Sequence, residues 1–243
     1  MRLKRSFDIL LGLLLLLFIS PIIITFCLIV FLYDKNNPLY ISKRIGLNGK
    51  PFKIFKIRSM VINADKLGGT STSKRDRRLL PVGNLIRKLK LDEFTQVINV
   101  LNGSMSFVGP RPNTPFDVNL YSSEEKVLLS VRPGITDFSS IVFSDEGNIL
   151  DKYSDPDLAY NQLIRPWKSR LGLFYVEKRN ILLDIQLIFL TFLNSFYRTK
   201  VLILVSKLVK KYGGSSSLVA VSKRQDELKS TPPPGFKDPI SKI

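Results

Sequence analysis

The chain has 243 residues, 44% of them hydrophobic, and a formal charge of +17 from 37 Lys and Arg against 20 Asp and Glu. That length favours one domain with appendages, and that charge calls for a polyanionic partner, whether phosphate-rich small molecules, anionic lipid headgroups or nucleic acid. With no histidine and a single cysteine, Cys27, the sequence excludes Ser-His-Asp triads, Cys-His dyads, histidine-ligated metals and a disulfide framework.

Chemistry then falls to carboxylates, lysine, arginine, hydroxyls and an oxygen-bound hard cation such as Mg²⁺. In chain order, the first feature is the run Ile9 to Tyr33, which carries no charged side chain. As a helix it would be about 37 Å long, against a hydrocarbon core of roughly 30 Å. Arg2, Lys4 and Arg5 before it also suggest a secretory signal, but the run exceeds a typical apolar signal region and no small-residue cleavage site follows. Ser20-Pro21 stands near its middle, where proline bends or breaks a helix. Basic residues flank both sides, with Lys35, Lys43 and Arg44 following the run, so the positive-inside rule asks for both ends on the cytoplasmic face. A helix-break-helix hairpin that re-enters the same face meets that demand. A kinked bitopic anchor is the competing reading, because spanning helices tolerate proline.

From Asn36 to Gly49 the punctuation by Pro38, Gly46 and Gly49 is loop-like, and Pro51 to Arg58 alternates as a strand expected to group Lys53, Lys56 and Arg58. Residues 66–77 read as a mobile Gly-, Ser- and Thr-rich loop. Residues 82–101 read as mostly helical, interrupted at Asp92-Glu93, and Gly103 to Pro112 as a turn-rich loop. Residues 122–131 suggest a short helix and residues 156–180 one or two helices around Pro166. Ile181 to Phe196 contains Asp184, Gln186 and Asn194, which suits an interfacial or core helix better than a span. Val201 to Tyr212 is amphipathic, with Lys207, Lys210 and Lys211 facing either anionic lipid or solvent. Beyond Gly213 the polar composition, with Pro232-Pro233-Pro234, predicts disorder. The expected organisation is a membrane hairpin over 1–34, a catalytic domain over 35–200 and a basic, disordered tail over 201–243. The fold class is helix-rich mixed α/β with interfacial helices, in a monotopic membrane protein.

Three constellations can carry chemistry. Lys90-Leu-Asp92-Glu93 holds adjacent carboxylates, which diverge by about 100° on a regular helix and share a focus only where a helix starts or distorts. An aspartate there is either an ordinary N-cap or a nucleophile toward phosphorus, with its neighbour holding a metal. Val108-Gly-Pro-Arg111-Pro112 stiffens a loop around one arginine, whose planar donors suit phosphate or a rigid turn alike. Arg132-Pro-Gly-Ile-Thr136 has the same ambiguity. Basic residues set among Gly/Pro loops, without aromatic or helical reading elements, argue against nucleic acid.

Taken in order, these blocks resemble the bacterial sugar transferase family, the monotopic phosphoglycosyl transferases. The carrying residues are Lys4-Arg5-Ser-Phe-Asp8, Ser20-Pro21, Arg44-Ile-Gly46, Phe55-Lys56-Ile-Arg58, Leu91-Asp92-Glu93, Val108-Gly-Pro-Arg111-Pro112, Arg132-Pro-Gly-Ile-Thr136 and Leu183-Asp184, across roughly residues 3–195. The resemblance implies a re-entrant N-terminal helix broken at Ser20-Pro21 and an active site on the cytoplasmic face of the bacterial inner membrane. It implies transfer of a sugar 1-phosphate from a UDP-sugar to polyprenyl (undecaprenyl) phosphate, releasing UMP, as the first membrane step of polysaccharide or glycoconjugate assembly. Asp92 would form a covalent phosphosugar intermediate, Glu93 would bind Mg²⁺, and Lys56, Arg87 and Arg111 would contact substrate phosphates. A membrane-anchored nucleic-acid binder and a non-catalytic scaffold are the alternatives, and assembly as a homo-oligomer stays open. One departure stands out: Asp137-Phe138-Ser139-Ser140 replaces the Gly-Trp-Ala-Gln of many members, which bears on donor choice. Without the extra N-terminal spanning helices of larger members, the chain resembles the minimal catalytic form.

Overall fold

The computed structural model describes residues 2–64 and 76–241, so most of the Gly- and Ser-rich segment expected to be mobile lies outside the described residues. Helix α1 (Arg2–Asp34) runs without interruption through Ser20 and Pro21, in place of two separate halves. Hydroxyls occupy carbonyls near the proline: Ser20 Oγ lies 3.4 Å from the Leu17 oxygen and Thr25 Oγ1 donates to the Pro21 oxygen at 2.8 Å. Such side-chain bonds compensate backbone groups in apolar helices. Leu11, Leu15 and Ile19, then Phe26 and Val30 two turns further on with Cys27 beside them, dock one stripe of α1 on the globular body. The outward residues, including Leu10, Leu13, Leu14, Leu17 and Phe18, are exposed. An apolar helix with that much uncovered surface is compatible with a monotopic membrane anchor.

Both ends of α1 are pinned to the same body. At the first end, Lys4 forms an ion pair with Asp184 and reaches the Val108 oxygen at 3.1 Å. Arg5 donates to the Val100 and Leu101 oxygens at 2.6 and 2.8 Å. Asp8 accepts from Ser106 Oγ at 3.1 Å and the Phe107 amide at 3.2 Å. At the far end, Asp34 accepts a bidentate pair from Arg58 at 2.6 and 2.7 Å.

Strand β1 (Leu39–Ile45) lies in the stretch expected to be loop; Pro38 and Gly46 bound it without breaking it. It pairs antiparallel with β2 (Pro51–Ile57) from Leu39↔Ile57 to Ile45↔Pro51. Lys53 sits opposite Lys43 and Lys56 opposite Tyr40. Residues three apart on a strand face opposite ways, so the expected grouping of Lys53 with Lys56 is not formed. The consecutive apolar pair Ile54-Phe55 breaks the alternation on which that grouping rested.

The expected single helix over 82–101 is three short ones: α2 (Gly83–Lys88), α3 (Leu91–Phe94) and α4 (Gln96–Leu101). Strand β3 (Ser106–Val108) follows and pairs in parallel with β4 (Gly134–Thr136). Gly109 and Gly134 meet back to back at this pair: a Cβ on Gly134 would lie 2.1 Å from the Gly109 nitrogen, so neither admits a side chain. Between the strands lie α5 (Pro115–Asn119) and a 3₁₀ turn over Glu125–Ser130. Short helices α6 (Phe138–Val142), α7 (Glu146–Leu150) and α8 (Pro156–Ala159) lead through a π turn, Tyr160–Ile164, into α9 (Arg165–Lys178). Pro166 falls in the first turn of α9, where its missing N–H is no loss.

The core is closed by α10 (Ile181–Asn194), α11 (Arg198–Lys211) and α12 (Ser216–Lys223). Helix α10 buries Leu183, Leu187 and Leu190 and exposes Leu182, Ile185, Phe189 and Phe192. The same helix thereby serves core and surface. Helix α11 buries Val201, Val205 and Val209 in the same cluster, so the expected domain boundary at residue 200 falls inside a core helix. The disorder expected beyond Gly213 gives way to α12, capped by Ser215 and packed through Leu218 and Val221. The chain then straps across the body: the Thr231 amide donates to the Gln162 oxygen at 3.0 Å, Arg170 to the Pro232 oxygen at 2.8 Å, and Gln162 Nε2 to the Ile240 oxygen at 2.8 Å. Few apolar residues suffice here because the tail binds through its backbone amide and carbonyl groups.

Candidate active site

Lys90 occupies the N-cap position of α3 in the left-handed region, at φ 54°. That residue ends one helix and starts the next, so Asp92 and Glu93 fall in a first turn. The capping explanation for Asp92 fails, because the cap position is Lys90 and no side-chain cap bond is made. Helix starts favour anionic groups, which suits a carboxylate pair there.

Helices α3 and α4 are stitched to β2 by side chains on one face. Thr95 Oγ1 donates to the Phe55 oxygen at 2.9 Å, Asn99 Nδ2 donates to the Lys53 oxygen at 2.7 Å, and Asn99 Oδ1 accepts from the Phe55 amide at 3.1 Å. This register brings Lys56 Nζ to 3.3 Å from Asp92 Oδ2 and 3.9 Å from Glu93 Oε1. Arg111 arrives from the loop after β3, stiffened by Pro110 and Pro112, and donates to Glu93 Oε1 at 2.5 Å. Burial alone would raise the Glu93 pKa, but Arg111, then Lys56 and Lys90, hold it down at about 2. Glu93 in turn raises Arg111. Glu93 and Arg111 thus hold each other in the charged form.

Lys56, Asp92, Glu93 and Arg111 therefore converge as the sequence suggests. Arg87, near the end of α2, stands beside them, with Nε donating to Ser59 Oγ at 2.9 Å. Burial lowers its pKa and the Asp92 charge opposes that. Arg132 is spent elsewhere, donating to the Gly103 oxygen at 2.8 Å. Asp137 is the N-cap of α6, accepting from the Ser140 amide and Ser139 Oγ, both at 2.8 Å. Burial raises its pKa. Ser20 and Pro21 lie on α1 and take no part in this cluster.

Sequence reasoning missed Tyr160, Lys168 and Glu146. Lys168 is ion-paired with Glu146 and stands 5.3 Å from the centre of the Tyr160 ring, and Tyr160 and Lys168 line a cavity together with Arg111. No spacing in the sequence links these residues to the Asp-Glu pair. Thr95 and Asn99 could have been found, since a separation of four sets both on one helix face.

Among the described residues no group of three or more His, Cys, Asp or Glu could enclose a metal. Mg²⁺ usually takes one or two protein carboxylates and completes its shell with phosphates and water. Asp92 and Glu93 fit that role, because the hydrogen bond from Arg111 ends on Oε1 and none from the described residues ends on Oε2.

A model of the family described as bacterial sugar transferase matches residues 1–198, and the chain belongs to that family. It is 34% identical over 198 residues to the UDP-glucose:undecaprenyl-phosphate glucose-1-phosphate transferase of Escherichia coli (strain K12), covering 80% of this chain and 40% of that protein. It is 33% identical over 142 residues to the UDP-N-acetylgalactosamine-undecaprenyl-phosphate N-acetylgalactosaminephosphotransferase of Aeromonas hydrophila, covering 57% of this chain and 34% of that protein. A third relative, the uncharacterized sugar transferase EpsL of Bacillus subtilis (strain 168), is 34% identical over 192 residues, with 79% of this chain and 86% of EpsL covered. The chain thus spans well under half the length of the first two.

Proposed function

We propose that this protein transfers a sugar 1-phosphate from a UDP-sugar to polyprenyl phosphate at the cytoplasmic face of the bacterial inner membrane. The observation that carries the reading is the Asp92 carboxylate, 3.3 Å from Lys56 and adjacent to a Glu93 locked by Arg111. In the first step an Asp92 oxygen bonds to the sugar-side phosphorus, the bond from that phosphorus to the bridging oxygen breaks, and UMP leaves with the bridging oxygen. In the second, an oxygen of polyprenyl phosphate bonds to the same phosphorus and Asp92 is released as carboxylate. Lys56, Arg87 and Arg111 gather the phosphate charge, which such fixed cations do without reorganising. A Mg²⁺ ion held by Glu93, with Asp92 nearby, would neutralise phosphoryl oxygens when bound.

The re-entrant arrangement of α1 draws support from its two ends. Lys4 and Asp34 bond to one globular body, and such a body seated on one side of a bilayer would keep both ends of the helix there. The covalent step is tested by mixing the protein with a UDP-sugar labelled in the sugar-side phosphate and digesting it. Label is expected on the peptide bearing Asp92; a chain that turns over without ever carrying label there has another mechanism.

A further inference from the structure

Helices α10 and α11 each carry two unlike faces. Leu183, Leu187 and Leu190 of α10 and Val201, Val205 and Val209 of α11 lie in the core, which fixes how both helices are turned. Left outward on α10 are Leu182, Ile185, Phe189, Phe192 and, just past its end, Phe196, at spacings of three and four. On α11 the outward stripe is Lys200, Ile203, Leu204, Lys207 and Lys211, again at helical spacing. The two stripes join through side chains in contact. The Phe192 and Phe196 ring centres are 5.5 Å apart, those of Phe196 and Tyr197 6.5 Å, and Lys200 Nζ stands 5.8 Å from the centre of the Tyr197 ring. One surface thus grades from aliphatic and aromatic side chains, through a tyrosine, to lysines. No acid interrupts it: the one carboxylate on either helix, Asp184, is buried and paired with Lys4. Contiguous exposed apolar surface of this kind marks an interaction site.

We propose that α10 and α11 together dock on acidic phospholipid, with Lys200, Lys207 and Lys211 seated on the lipid phosphates. The aromatic stripe of α10 enters the acyl layer, and Tyr197 sits at headgroup depth, where amphipathic rings collect. Charge complementarity selects this occupant. An apolar stripe bordered by cations alone matches an anionic leaflet, whose surface attracts each lysine brought near it. Helix α11 begins at residue 198, the last that the family model matches, so the lysine stripe lies outside the shared part of the chain. Dependence on acidic lipid is therefore a property this chain adds to the α1 anchor. The inference rests on the membrane placement of α1 proposed above.

The test attaches an environment-sensitive fluorophore to the full chain through Leu204→Cys or, separately, Leu14→Cys, with Cys27→Ser removing the native thiol. Both positions are exposed, one on α11 and one on α1. The labelled proteins are reconstituted in vesicles of phosphatidylcholine alone or of phosphatidylcholine with phosphatidylglycerol. The α1 probe should shift to the blue in both. The α11 probe should shift only with the acidic lipid and return toward its value in water at high salt. Lys200→Gln, Lys207→Gln and Lys211→Gln should each weaken its docking by roughly fivefold. An α11 probe that stays water-like in acidic vesicles, shifts equally in neutral ones, or ignores the three substitutions overturns the lipid surface. The placement of α1 stands in each of those cases as long as its own probe shifts. If neither probe shifts, both fall.

Discussion

Two pairs of carboxylates, Asp8 with Asp184 and Asp92 with Glu93, show what separates a saturated acid from one with oxygens to spare. Asp8 and Asp184 are 2% and 1% exposed, and their oxygens accept from Ser106, the Phe107 amide, Lys4 and the Tyr175 hydroxyl. Burial raises the Asp184 pKa, with Lys4 only partly opposing it. The side chains of Asp92 and Glu93 are 14% and 17% exposed, and cations rather than saturating hydrogen bonds surround them. No hydrogen bond from the described residues ends on Asp92 Oδ1. The first pair is a rivet. The second has oxygens left over for a phosphorus atom.

The sharpest way to break the contrast is Asp92→Asn, which should lower turnover by at least about 10³-fold while leaving the thermal transition in place. Near-normal UMP release would make Asp92 a bystander. Lys4→Met tests the opposite pair: it leaves Asp184 buried without its cation and should cost about 3–5 kcal/mol in denaturant unfolding. Glu93→Gln should weaken activity and remove a pH-dependent share of stability. The Glu93 pKa falls from 4.5 to about 2 on folding. Its contribution, at most about 3 kcal/mol, is therefore present above the unfolded value and lost as pH drops toward 2. The stability gap between wild type and Glu93→Gln should accordingly close between about pH 4.5 and 2; a gap that stays constant would mean Arg111 and Lys56 do not hold this carboxylate. Leu218→Ala should destabilise by about 2 kcal/mol, since it empties a core position of α12. Smallest of all, Lys53→Ala should leave kcat/KM within about twofold, as a surface change away from the cage.

Legibility differed by the kind of signal. The convergence of Lys56, Asp92, Glu93 and Arg111 could be read from ordered blocks, and the need for a helix start at the Asp-Glu pair followed from helix geometry alone. What supplied that start, a left-handed Lys90, had no sequence mark, because positive φ outside glycine is a tertiary outcome. Strand β1 was hidden by Pro38 and Gly46, which punctuate its ends. The tail reads as disordered because composition reports apolar content, whereas residues 231–240 are held by backbone amide and carbonyl groups that nearly every residue possesses. The Tyr160 and Lys168 cavity comes from segments brought together only by the fold around α9.

The double pinning of α1 has a mechanical consequence. Asp34 grips Arg58, two residues beyond Lys56, and Lys4 grips the Val108 carbonyl, three residues before Arg111. The helix is thus a strut whose footings lie beside the two cations that clasp Glu93. On the proposed membrane placement, bending that strut would shift the gap between those cations, and turnover in vesicles of graded acyl length should then vary with lipid thickness.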